Sequence, residues 1–109
     1  MPKIGDRVGA ICSAKDDTIE LFGYGVYAGE GIPGSDVTFL GESYEDVMNK
    51  RGITGTNPLI KLDDGDIVWG CECWWASEER IRKEVAKYKK AVIISIHEYR
   101  EKGQKLRNS

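Results

Sequence analysis

At 109 residues the chain has the size of one domain and is below the size at which a hydrophobic core divides. Its 40% hydrophobic and 31% charged residues exclude a disordered chain, and Ala91 to Ile94, an uninterrupted apolar stretch as long as any in the chain, is too short for a membrane-spanning helix. The net charge of −2 conceals a split: residues 1–77 carry 6 basic and 13 acidic groups and residues 78–109 carry 10 and 5, but the mixed signs of the last segment fit a solvated surface better than a nucleic-acid-binding tail.

The glycines between Gly5 and Gly70 punctuate short β-branched and aromatic runs, the pattern of strands joined by tight turns. Alternation predicts a first strand over Arg7 to Ser13, a turn at Lys15-Asp16-Asp17, and a long second strand over Thr18 to Gly29. Gly23 and Gly25 interrupt that strand, where a missing side chain permits a bulge, a bend or a close approach. Residues 30–57 read as an insertion. Within it Ser43 caps a short helix with Glu45 and Asp46 in its first turn, and Gly52 stops it.

Leu59 to Trp69 reads as a β-hairpin around Asp64-Gly65, a pair suited to a type I′ turn. Continued to Trp75, its second strand would place Ile67, Trp69, Cys71, Cys73 and Trp75 on one face and Val68, Gly70, Glu72 and Trp74 on the other. Ser77 then caps a helix near 78–90, with Ile81, Val85 and Tyr88 on one stripe. The β-branched run after Ala91 favours a closing strand near 91–98 over a longer helix. One domain over residues 1–103 is expected, with 104–109 fraying at the end. The fold class is mainly β with helical additions, and the order of elements suits a small SH3-like barrel.

The N-terminus shows no export signal, and three cysteines, Cys12, Cys71 and Cys73, cannot all pair within one chain. A reducing, cytoplasmic setting is therefore expected. Together with His97 they make a nominal Cys₃His set, but Cys71 and Cys73 lack zinc-knuckle spacing, so buried apolar thiols are expected and no metal or other cofactor. Asp63, Asp64 and Asp66 read as a turn, because the twelve-residue calcium loop is absent. The glycine pairs around Tyr24 and Glu30 lack the Lys-Ser/Thr of a phosphate-binding loop. No nucleophile or acid–base constellation assembles, which argues against an enzyme.

Aromatic residues concentrate at Phe22, Tyr24 and Tyr27 and at Trp69, Trp74 and Trp75. Consecutive tryptophans in a strand face opposite ways, so one of Trp74 and Trp75 is expected to be partly exposed. The segments Gly23-Tyr24-Gly25-Val26-Tyr27 and Pro58 through Trp75, with its Lys61-Leu62-Asp63-Asp64-Gly65 turn and Val68-Trp69-Gly70-Cys71-Glu72-Cys73-Trp74-Trp75 strand, resemble a family of small uncharacterised phage and bacterial proteins over roughly the first 80 residues. That resemblance carries no known activity. It implies one task, counter-defence by sequestering a host nucleotide signal. The corresponding expectation is a non-catalytic small-molecule binding protein whose nucleotide-like ligand is held by Tyr24, Tyr27, Glu72, Trp74, Arg80 and Arg82. The alternative is a protein-interaction or assembly module using an exposed aromatic patch, with a protein partner or a homo-oligomer. No membrane contact is expected, and without a recognition helix or basic stripe nucleic acid is disfavoured as a partner.

Overall fold

The computed structural model describes residues 2–34, 36–39, 41–52 and 55–108. It is a mostly β domain with three short helices. Strands β1 (Arg7–Lys15) and β2 (Thr18–Gly31) pair antiparallel, β2 passes to β5 (Asn57–Leu62), and β5 passes to β6 (Ile67–Trp69). After one turn of 3₁₀ helix at Gly70–Glu72, β7 (Trp74–Ser77) returns to pair with β1, giving the order β6-β5-β2-β1-β7. Helix α2 (Glu78–Val85) leads to β8 (Lys90–Ile93), which lies parallel to the first half of β2, and α3 (Ile96–Asn108) follows. The insertion holds a two-strand ladder, β3 (Thr38–Phe39) with β4 (Glu42–Ser43), and α1 (Tyr44–Arg51).

The alternation of β1 and β2 builds two apolar clusters, one on each side of the sheet. On the inner side Val8, Ala10, Phe22, Ile60, Leu62, Val68 and Ile96 are buried together, and Tyr27, Trp75, Cys12, Cys73 and Ile94 pack around them. On the outer side Ile11, Ile19 and Leu21 meet Ile81 of α2, flanked by Tyr24, Ala76, Val85 and Tyr88. Ile81 is wholly buried, worth about 2 kcal/mol or more of apolar transfer, and it holds α2 across the sheet. Gly25 explains how β2 serves both neighbours. A Cβ there would stand 2.1 Å from the carbonyl oxygen of Lys61, so only glycine lets β5 close onto β2.

Several expectations hold. Ser43 caps α1 by accepting the Asp46 N–H at 3.2 Å, Gly52 ends it in a left-handed conformation, and Ser77 caps α2 through the Arg80 N–H at 3.3 Å. Others are corrected. The hairpin turn is not type I′: Gly65 N–H donates to Leu62 O, Leu62 N–H donates to Asp66 O, and Gly65 alone takes positive φ. This is a three-residue connection with a glycine bulge.

The second hairpin strand does not run to Trp75. It stops at Trp69, and the 3₁₀ turn resets the alternation, so Val68 is the core residue, Ile67 is exposed and Glu72 no longer shares a face with Trp74. Helix α2 ends at Val85 rather than near 90, because Lys87 and Tyr88 turn tightly onto the carbonyls of Glu84 and Val85 and deliver the β-branched run to β2. The closing strand covers only 90–93. Ser95 then accepts the N–H groups of His97 and Glu98 and starts α3, which carries the backbone through the expected tail to Asn108. No helix among the described residues is long and apolar enough to cross a membrane.

Candidate functional site

The six residues expected to share a site lie in four places. Tyr24 sits on the outer face, half-buried beside Ile81, with the Arg82 guanidinium 4.3 Å from its ring centroid; Arg82 also donates through Nε to Glu78 at 2.9 Å. Trp74 and Arg80 occupy the opposite flank of α2. Trp74 is 44% exposed, the exposed one of the three tryptophans, and Arg80 lies 5.6 Å from its ring centroid. Tyr27 faces the inner side, where it stacks on Trp75 with centroids 5.7 Å apart and planes within 2°, while its hydroxyl donates to Glu30 at 2.7 Å.

Glu72 occupies the fourth place alone. Its side chain is fully buried and accepts the Trp69 N–H at 3.0 Å and two N–H groups of Arg100 at 2.9 Å each. Arg100 also donates to Ile67 O at 2.8 Å and lies 3.5 Å from Asp36. The expected ligand-binding carboxylate is therefore the tie between the 3₁₀ turn and α3. Its burial follows from the ion pair, because a carboxylate leaves water only when its oxygens are fully engaged.

A concavity of about 520 Å³ runs beside β7 and is lined by Pro2, Asp6, Arg7, Val8, Trp75, Ala76 and Ser77. None of the six candidates lines it. Trp75 was legible as a wall residue, since exposing Trp74 sends its neighbour to the inner face. Arg7 is the other residue the sequence reading missed, and its guanidinium is committed: Asp63 receives two bonds at 2.6 and 2.8 Å and Glu78 one at 2.9 Å. Hydrogen bonding to Arg7 holds the Asp63 carboxyl below its ordinary pKa. Bonds from Arg82 and then Arg7 do the same for Glu78. With Asp6 in the wall and two carboxylates bound to Arg7, the described lining residues offer no free positive charge to a phosphate.

The cysteines are free and half-buried. Desolvation pushes the Cys71 thiol up to about 11 and raises Cys73 and Cys12 as well, the signature of packed rather than nucleophilic thiols. His97 lies elsewhere, paired with Asp66 at 2.9 Å, and no group of three or more His, Cys, Asp or Glu among the described residues is placed to hold a metal ion. The three carboxylates of the hairpin turn diverge: Asp63 to Arg7, Asp66 to His97, and Asp64 to the Asp66 N–H.

Compared with known proteins, the chain matches no family model, no curated protein and no solved structure.

Proposed function

We propose that this protein is a non-catalytic protein-interaction module whose contact residues are Trp74 and Arg80. The observation that carries the reading is the exposed indole with a guanidinium against it, both at the corner where β7 enters α2. Tryptophan and arginine are the residue types that most often dominate binding energy at protein interfaces. Arg80 also differs from Arg7, Arg82 and Arg100, each of which is bound to carboxylates: among the described residues no ion pair engages it. Its natural partner is a carboxylate on a protein segment whose apolar side chain covers Trp74.

This reading takes precedence over sequestration of a nucleotide signal, because the six residues expected for that task diverge and Arg7, in the wall of the large groove, is already bound to Asp63 and Glu78. The return of β7 to β1 after a 3₁₀ turn supports an SH3-like barrel as the scaffold, and the three free thiols support a reducing, cytoplasmic setting.

The test is selection from a random peptide library on the immobilised protein. Selected peptides should be acidic with an apolar anchor, and W74A and R80A should each weaken them by about 30-fold, the loss for a typical dominant contact, with melting temperatures unchanged. Undiminished binding to W74A would refute the assignment. A stoichiometric adduct with a cyclic nucleotide in native mass spectra would return the nucleotide reading to first place.

A further inference from the structure

The sheet has an edge that the Trp74 corner does not touch. Across one level the strands run β7, β1, β2, β8, with Trp74 beside Ile11, Ile11 beside Leu21 and Leu21 beside Ile93. Trp74 and Ile93 thus lie at opposite margins, roughly 14 Å apart at ordinary strand spacing.

At the Ile93 margin all four residues of β8 are exposed, Val92 by 42% and Ile93 by 63%. The N–H groups of Lys90 and Ile94 donate inward, to Asp17 O and Leu21 O. Alternation then turns the N–H and C=O groups of Ala91 and Ile93 outward, and no described strand pairs with them. A row of unsatisfied backbone groups flanked by Ala, Val and Ile side chains, with only Lys90 to discourage pairing, is a template for another strand.

We infer that β8 is a homodimer edge: two copies pair their β8 strands antiparallel across a two-fold axis at Val92. The occupant is argued from the strand itself. In that register the outward residue Ala91 lies opposite Ile93 of the other copy, so the two exchange both of their free backbone hydrogen bonds, and the symmetric pair does the same. Val92 meets its own counterpart and buries the exposed side chain. Lys90 falls opposite Ile94 and Lys89 opposite Ser95, so no like charges face each other. A parallel arrangement would set Lys90 against Lys90. The strand is thus self-complementary in the one orientation that closes. Two four-strand rows become one continuous sheet, leaving both Trp74 corners at its outer margins. The inference does not depend on the function proposed for Trp74.

Four residues make a small interface, and a dissociation constant on the order of 0.1 mM is expected. Sedimentation equilibrium of the full chain should show a monomer–dimer equilibrium that stops at twice the monomer mass. V92K and V92E, at an exposed position, should each fold normally by circular dichroism and weaken association by at least about tenfold, and mixing the two should restore a dimer through the facing Lys–Glu pair. In the unmodified protein, amide exchange at Ala91 and Ile93 should slow as concentration rises, while Ile94, already bonded to Leu21, should not change. A monomer at 1 mM, on the order of ten times the expected constant, a mass that grows past the dimer, a V92K chain that associates like the parent, or a mixture that fails to recover would each overturn the inference.

Discussion

Replacing Glu72 with alanine tests the central buried contact of the molecule. The carboxylate is fully buried and receives three N–H groups, and the Arg100 side chain opposite it is only 12% exposed. Removing it leaves a nearly buried guanidinium with Ile67 O and a 3.5 Å contact to Asp36, and the Trp69 N–H loses its acceptor. Breaking one side of a buried pair costs about 3–5 kcal/mol. Because Asp36 still lies near the cation, the lower end applies, about 3 kcal/mol. A domain of this size has about 5–15 kcal/mol of stability in all, so the variant should still fold but melt roughly 12–20 °C lower. Urea unfolding followed by tryptophan fluorescence gives the difference directly. E72Q, which keeps an acceptor for Trp69 but loses the charge, should fall between parent and alanine. E72M combined with R100M should recover at least half of the loss, since the uncompensated charge is then gone. If E72A unfolds within about 1 kcal/mol of the parent, or the double variant is no better than E72A, the ion pair is not what holds the 3₁₀ turn to α3.

Two further outcomes follow from the packing and the surface charges. G25A places a methyl group 2.1 Å from Lys61 O and 2.6 Å from the Leu62 Cα, backbone atoms that move only by opening the β2–β5 ladder, so a loss of about 4 kcal/mol or more is expected; a urea midpoint near the parent's would contradict the close approach. Asp63 and Glu78 have folded-state pKa values below their ordinary ones, so their ties to Arg7 stabilise fully above the ordinary carboxylate range and fade as pH falls through the lowered values. Urea midpoints of the parent and R7M should therefore differ at about pH 6 and converge near about pH 2, with the gap at pH 6 narrowing in added salt, and a gap unchanged at low pH would contradict the assignment.

Local chemistry made much of the fold readable. Ser43, Ser77 and Gly52 announce helix ends because capping involves only residues a few positions apart, Gly25 marks a place where a side chain would obstruct a neighbouring strand, and Gly23 and Gly65 mark places where the backbone takes positive φ. Helix α3 was missed: the β-branched run after Ala91 favoured a strand through 91–98, and Ser95, which accepts the Glu98 N–H, fell inside it. The break after Trp69 was not readable. Glu72 turns inward to meet Arg100, 28 positions later, and nothing adjacent to Glu72 specifies that partner. The site suffered for the same reason. Tyr24, Trp74, Arg80 and Arg82 all belong to the α2 side, but Glu72 was joined to Trp74 by an alternation that the 3₁₀ turn cancels, and Tyr27 faces the inner side of β2, where it stacks on Trp75.

Ile96 lies at the centre of the inner cluster, and Tyr99 meets Phe22 edge-on at 5.3 Å, so the last helix of the chain seals a cavity whose walls come from the first two-thirds. During vectorial synthesis the β1–β2 and β5–β6 hairpins can close within microseconds of emerging, yet the cluster they enclose stays open until residues some 70 positions beyond Phe22 arrive. Folding speed is then set by these distant contacts, the β1–β7 and β2–β8 pairings and the docking of α3, rather than by the local hairpins. The hazard is kinetic: for as long as α3 is missing, Phe22, Ile60 and Val68 are available to any neighbouring chain.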